Sequence, residues 1–381
     1  MRAHAPRETV LLPAELHMTA GTCYAVFAYD VGLSLVLEEC ERRITALTQR
    51  ATIRHKHRAP DYFEYRPAPL RVTQDVEPLL VGGYRTHTSV DTVLYDFGAV
   101  SITYRIPLQG AFSTLLTLGD DLYDNSLLLQ DSRQRIAQLL EVIASAVVRP
   151  HTSDFVEDYA IFQVEAFTVP CKAEELCAQY AQEIAQLLRL ERQMLSQQEV
   201  SDALSHRISF SPDDVTIIDW NAAFLLARDA EDVLAVLEFA NVELLEMRYL
   251  DEQLDNDLDQ SYEALSRHNW GRFRLRGSPH ADLRRIAQMQ VDSAVLFEGV
   301  NNALKLLGDQ YLARVYRLAS QRFHLEEWDA SILRKLHILE SIYNKISDQA
   351  ATWRLELLEW IVILLIAVSI LLPFVFNLPG H

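Results

Sequence analysis

Residues 92–106 read TVLYDFGAVSITYRI. The stretch alternates strongly and is rich in β-branched and aromatic residues, the pattern of a strand, and Phe97-Gly98 supplies a bend or bulge. Outward from it, strand-like and helix-like runs take turns. Upstream, 62–72 is extended and holds prolines, 32–48 is helical with Leu35, Leu37, Ile44 and Leu47 as apolar positions, and 22–28 (TCYAVFA) is β-rich. Downstream, 127–148 is helical through Ile136, Leu139, Leu140, Ile143 and Val147, and 155–167 (FVEDYAIFQVEAF) is again strand-like. The order β-α-β-β-α-β predicts a ferredoxin-like split sandwich. Residues 172–204 read as helical and 215–226 (VTIIDWNAAFLL) as one more strand.

After Asp229 the period changes. Val233, Leu237, Ala240, Leu244, Met247, Leu250, Leu254, Leu258, Tyr262 and Leu265 fall three or four apart, which predicts one long amphipathic helix. A second is expected over about 281–323. A third starts near Trp328, with Ile332, Leu336, Leu339, Tyr343, Ile346, Ala350, Trp353 and Leu357 spaced 4-3-4-3-4-3-4. That is a heptad seam. It serves either as a coiled coil between chains or as an internal seam with the second helix. The oligomer-seam residues are taken as Ile332, Leu336, Leu339, Tyr343, Ile346 and Trp353.

Residues 360–376 read WIVILLIAVSILLPFVF, with no charge. About 20 apolar residues span a bilayer core of roughly 30 Å. The expected anchor residues are Leu357, Leu358, Trp360, Ile361, Leu364, Leu365, Val368, Leu371 and Phe374. Lys335, Lys345 and Arg354 precede the run, so the positive-inside rule places the body in the cytoplasm of a bacterial inner membrane, tail-anchored. The expected fold class is therefore α+β: an N-terminal ferredoxin-like mixed α/β domain over 1–228, a long-helix, coiled-coil-like domain over 229–356, and one C-terminal transmembrane helix over 357–377.

Composition narrows the partners. The formal net charge of −18 over 381 residues disfavours nucleic acid. The four cysteines form no C-x-x-C and are expected reduced. Residues 1–17 hold no apolar core of signal-peptide length. Two basic clusters stand out, Arg54-His55-Lys56-His57-Arg58 and the set Arg267, Trp270, Arg272, Phe273, Arg274 and Arg276. The second interleaves arginine with aromatics, as a lipid or anion contact would. Its alternative role is pairing with the body's own carboxylates. Antiparallel second and third helices would set it at the headgroup level.

Asp255, Asp257 and Asp259 have the D-x-D-x-D spacing, but Gln260 and Ser266 stand where a calcium loop needs Gly and Glu. Asp219-Trp220-Asn221 reads as a polar site or a capped strand end. The chain has no G-x-S-x-G, H-E-x-x-H, G-x-x-x-x-G-K-[ST] or G-x-G-x-x-G. No catalytic residue, metal or cofactor is expected. The reading is a tail-anchored membrane scaffold that forms a homo-oligomer and recruits an unidentified protein partner. The alternative is a membrane-tethered hydrolase or nucleotide enzyme with a cleft between the two domains.

Several pieces carry a resemblance. The helix LEFANVELLEMRYLDEQLD (237–255), the helix NALKLLGDQYLARVY (302–316), the LEW at 358–360 before an apolar run, and LYDFGAVSI (94–102) are similar to the Rmd family, the Required for Meiotic Nuclear Division proteins and their bacterial relatives. The resemblance covers most of 20–376. It implies no enzymatic motif; it implies membrane attachment, assembly into large complexes, and a ribosome or RNA tether linked to organellar translation.

Overall fold

The computed structural model describes residues 15–48, 56–58, 67–153, 155–269, 287, 291 and 310–376; in a few helical stretches only the backbone is described. Strand β1 (His17–Asp30) is the spine of the body. Its side chains alternate between faces. Cys23, Ala25, Phe27 and Tyr29 enter one core, while Val26 enters another. Both faces are covered, which is why the strand reads as a nearly unbroken apolar run.

After β1 come β2 (Gly32–Leu35), α1 (Leu37–Thr48), β3 (Lys56–Arg58), β4 (Leu70–Asp75), β5 (Leu80–Val81), β6 (Tyr84–Arg85), β7 (Ser89–Leu94) and β8 (Ala99–Ala111). Next are α2 (Leu115–Leu122), α3 (Ser126–Ile143), β9 (Val147–Pro150) and β10 (Val156–Phe167). Then follow α4 (Ala173–Gln179), α5 (Ala181–Arg189), α6 (Gln197–Ala203), β11 (Arg207–Ile208), β12 (Val215–Ile218) and β13 (Ala222–Leu226). Three long helices complete the described chain: α7 (Glu231–Asn269), α8 (Gln310–Arg322) and α9 (Leu325–Phe376).

One sheet runs in the order β11-β12-β13-β10-β1-β8-β7-β4-β3. Its pairs are antiparallel except β10 with β13, which is parallel, so the sheet is mixed. The four-stranded ferredoxin-like sandwich expected for this domain is therefore corrected. The strands β10-β1-β8-β7 form only the middle of a nine-stranded sheet. Short or irregular strands at both flanks carried too little period to be seen in sequence.

The stretch 92–106 is a hairpin. Tyr95 N–H bonds Ala99 O at 2.9 Å, and Gly98 takes φ 105°. A Cβ on Gly98 would lie 1.7 Å from the Gly32 carbonyl oxygen, so only glycine fits where the turn meets the β1–β2 link. Residues 215–226, expected as one strand, are also a hairpin, with Asp219, Trp220 and Asn221 at its turn. Residues 172–204 form three short helices, and Leu190 ends α5 in the left-handed conformation at φ 53°.

One face of the sheet packs on α1, α2, α3 and α5, through Ile44, Leu118, Ile136 and Ile184 among others. The other packs on α7 and α8, through Val233, Leu237, Leu244, Leu312 and Val315. Here β8 turns Ser101 and Thr103 toward α7, and both hydroxyls donate to Glu238 Oε1, at 2.7 and 3.1 Å. Arg71 Nη2 donates to Glu238 Oε2 at 2.9 Å.

The chain divides into two compact units. The first holds 1–249 and 298–328, and the second 250–297 and 329–381. In the second, Lys335 Nζ lies 2.8 Å from Asp251 Oδ1 and 2.6 Å from Asp255 Oδ1, which ties the start of α9 to the C-terminal part of α7.

Among the described residues, no helix is long and apolar enough to cross a membrane. This corrects the transmembrane helix expected over 357–377. It also corrects what depended on that helix: the tail-anchored layout, the integral single-span attachment to a membrane, and the inner-membrane location with a cytoplasmic body.

Candidate functional site

Two features of the described residues call for chemistry or a partner. The first is a buried polar cluster where β1 ends. Asp30 is the last residue of β1 and only 1% exposed. Its Oδ1 accepts from Gly32 N–H at 3.1 Å and lies 2.8 Å from His151 Nε2. Its Oδ2 has no hydrogen-bond partner among the described residues. His151 follows β9 and is half-buried. Its Nε2 is also 2.9 Å from the Tyr249 hydroxyl, and its Nδ1 is 3.3 Å from Arg149 O. The two rings stack at 18° with centroids 5.4 Å apart.

Tyr249 lies on α7, one turn after Glu246, which is 3% exposed. Glu246 Oε1 likewise has no hydrogen-bond partner among the described residues. Beside them, Arg248 pairs with Glu157 of β10 and lies 4.4 Å over the Phe155 ring. Asn241 Nδ2 donates to Glu157 O at 3.3 Å.

Burial sets the electrostatics here. It pushes the Glu246 carboxyl well above the usual range, and the charge of Asp30 adds to that. It raises Asp30 too, against the pull of His151. Glu157 is pushed up to about 7 by burial, with Arg248 opposing. The hydrogen bond to Asp30 raises His151, while burial opposes it. Both ring nitrogens face oxygen atoms, an arrangement that suits the imidazolium. The cluster thus sets an imidazole against one buried carboxyl group, with a second buried acid on the neighbouring turn of α7.

The sequence reading missed this cluster. Its only trace is acidic residues in apolar company: Asp30 closing TCYAVFAYD, and Glu246 on the helix stripe that also holds Leu250.

Asp219 of the β12–β13 turn, singled out in sequence, is fully buried and held by two arginines. Arg322 Nε donates to Asp219 Oδ1 at 2.6 Å. Arg189 Nε stands 3.0 Å from Oδ2, an ion pair whose angle is not that of a hydrogen bond. Asp202 also meets both guanidinium groups, at 2.6 and 2.8 Å. With each charge balanced, this is a clamp joining α5, α6, α8 and the sheet.

The second feature is α9. Of the seam residues, Ile332 and Leu339 are fully buried, and Leu336 and Tyr343 are partly buried. The side chains of Ile346 and Trp353 lie outside the described residues. Further on the helix is bare. Leu355, Leu358, Trp360, Ile361, Leu364, Leu365, Val368 and Ile370 are all exposed, Trp360 to 70%. The side chains of Leu357, Leu371 and Phe374 are not among those described.

The arginine set gives no geometry. Arg267 falls in α7 beyond its described side chains, and Trp270, Arg272, Phe273, Arg274 and Arg276 lie outside the described residues. Of the 54–58 cluster, only Lys56, His57 and Arg58 are described, as β3. The D-x-D-x-D run at Asp255 lies inside α7, and among the described residues no group of three or more His, Cys, Asp or Glu is placed to hold a metal.

A protein of Methanocaldococcus jannaschii, "Uncharacterized protein MJ0711", is 23% identical to this chain over 238 residues, which are 62% of this chain and 71% of that one. No solved structure matches. A family model described as "Uncharacterized protein MJ0711, N-terminal domain" matches residues 20–232, which takes in the whole nine-stranded sheet apart from the first strand's opening residues. These matches support an uncharacterized family and do not single out the Rmd proteins. On the strength of a match over more than half its length, the chain belongs to the family of the MJ0711 N-terminal domain.

Proposed function

We propose that this protein is a scaffold that self-associates through the C-terminal part of α9, with a second copy covering its apolar side chains. The observation that carries the reading is the run from Leu355 to Ile370, where all the large apolar side chains described are exposed. An apolar surface of this extent marks an interaction site. Covering one such side chain in full contributes about 1.5–3 kcal/mol, so a few of them per copy outweigh the entropy of association. The heptad spacing supports the same geometry. It continues from Trp353 and Leu357 through Trp360, Leu364, Ala367 and Leu371.

The finer relationship to the Rmd proteins is part of this proposal. The resemblance implies members that assemble into large complexes, and its strongest pieces, 234–255 and 358–360, fall in α7 and α9. The mixed-sheet body is then the part that meets a protein client.

Cysteine crosslinking tests the seam. In a parallel pair, Leu364→Cys sets two thiols against each other, whereas Val362→Cys lies off the seam. Oxidation is expected to give a covalent dimer for Leu364→Cys and little for Val362→Cys. Equal crosslinking at both positions, or none at either, would remove the seam.

A further inference from the structure

Asp30 Oδ2 and Glu246 Oε1 are two buried carboxylate oxygens without a hydrogen-bond donor among the described residues. Buried acceptors of this kind are rare and need an explanation. They belong to one neighbourhood. Asp30 Oδ1 and the Tyr249 hydroxyl both meet His151 Nε2, at 2.8 and 2.9 Å, and Glu246 precedes Tyr249 by one helical turn. Among the described residues no arginine or lysine pairs with either carboxylate; Arg248, one residue from Tyr249, pairs with Glu157.

We propose that Asp30 and Glu246 share one proton, with Glu246 the neutral acid whose O–H donates to Asp30 Oδ2, so that this bond latches α7 to the end of β1. One proton satisfies both oxygens at once and leaves a single negative charge, which His151 balances. Without it, two carboxylates would stand charged in the interior, an arrangement proteins avoid by keeping one of them protonated. The other groups facing the latch are Tyr249, Glu157 with Arg248 on β10, and Glu243 one turn earlier on α7, which accepts from the Tyr316 hydroxyl at 2.6 Å.

The sign of the response follows. Burial and the Asp30 charge raise the Glu246 carboxyl, so the latch is closed below that raised value. It opens as pH rises through the raised value. His151 loses its proton in the same direction. The 241–249 segment of α7 therefore loosens as pH rises through that value, which makes the latch a pH-sensitive element of α7.

Hydrogen exchange of the full-length protein, corrected for the intrinsic pH dependence of exchange, reads this directly. Protection over 241–249 is expected to fall about tenfold or more between about pH 6 and pH 9 in the parent. Glu246→Gln, whose amide keeps donating to Asp30, should remove most of that fall. Protection that does not change with pH in the parent, or that falls equally in Glu246→Gln, would overturn the latch. Infrared spectra of the parent with ¹³C-labelled glutamate give a second reading that needs no substitution. A neutral glutamic acid band beyond that of Glu157, whose value is near 7, should be present at about pH 6 and disappear over the pH range in which protection is lost. Its absence at about pH 6 would overturn the shared proton.

Discussion

Gly98 and Arg71 show how single residues hold this fold. Gly98 takes a left-handed φ with no room for a Cβ against Gly32 O. Gly98→Ala is expected to cost about 2–4 kcal/mol, strain and displacement together, read as a drop in melting temperature. Arg71 neutralises Glu238, which is 5% exposed, and stands 3.8 Å from Asp91. Removing one partner of a fully buried pair costs about 3–5 kcal/mol. Arg71 is a quarter exposed and Asp91 keeps Arg105, so Arg71→Ala should cost less, about 2–3 kcal/mol. A loss below about 0.5 kcal/mol in denaturant titration would show that water already reaches Glu238. At this scale the sequence said little. That Asp30, Glu238 and Glu246 point inward depends on which helix faces which strand, and no local pattern encodes that. The Gly at position 98 was legible, because Phe97-Gly98 breaks a strongly alternating run.

Among the elements, long regular ones were legible and short ones were not. The period-two runs of β1, β8 and β10 and the three-four spacing of α7 and α9 extend over enough residues to show themselves. Strands such as β11 and β13, and the three short helices α4 to α6, are too brief to show a period. The Val215–Leu226 run hid a turn because Asp219-Trp220-Asn221 sits inside an apolar stretch. The apolar end of α9 was legible as a helix, and its membrane reading did not hold among the described residues.

The two halves of α9 should respond differently. Ile332 and Leu339 are buried within the second unit, close to where Lys335 meets Asp251 and Asp255. Leu339→Asp puts a charge in that interface and should lower helicity and melting temperature. Trp360→Asp lies where nothing in the described chain covers it. It should leave the circular dichroism unchanged and reduce the oligomer mass. If Leu339→Asp is silent in the melt, the α7–α9 packing is not what orders this unit.

For the molecule as a whole, buried acids set the pH response. Burial raises Asp96 to about 6 and Glu157 to about 7, and it raises Asp30, Asp158, Asp219 and Glu246 as well. A carboxyl raised in the folded state binds its proton more tightly there than in the unfolded chain. Its contribution is complete below the unfolded value, near 4, and is lost as pH rises through the folded value. His151, raised by Asp30, acts in the same direction. The melting temperature should therefore be higher near pH 5.5 than near pH 8 by several degrees, despite a formal charge of −18 at pH 7. A melt that rises from pH 5.5 to 8 would mean that these carboxyls are ionised in the folded protein.

Self-association through the end of α9 is tested most directly by sedimentation equilibrium of the full chain in buffer without detergent, beside Trp360→Asp/Leu364→Asp. The expected result is a discrete mass at an integral multiple of the monomer for the parent, and a folded monomer for the double variant. A parent that sediments as a monomer, or one that reaches a defined mass only when detergent covers α9, would contradict it.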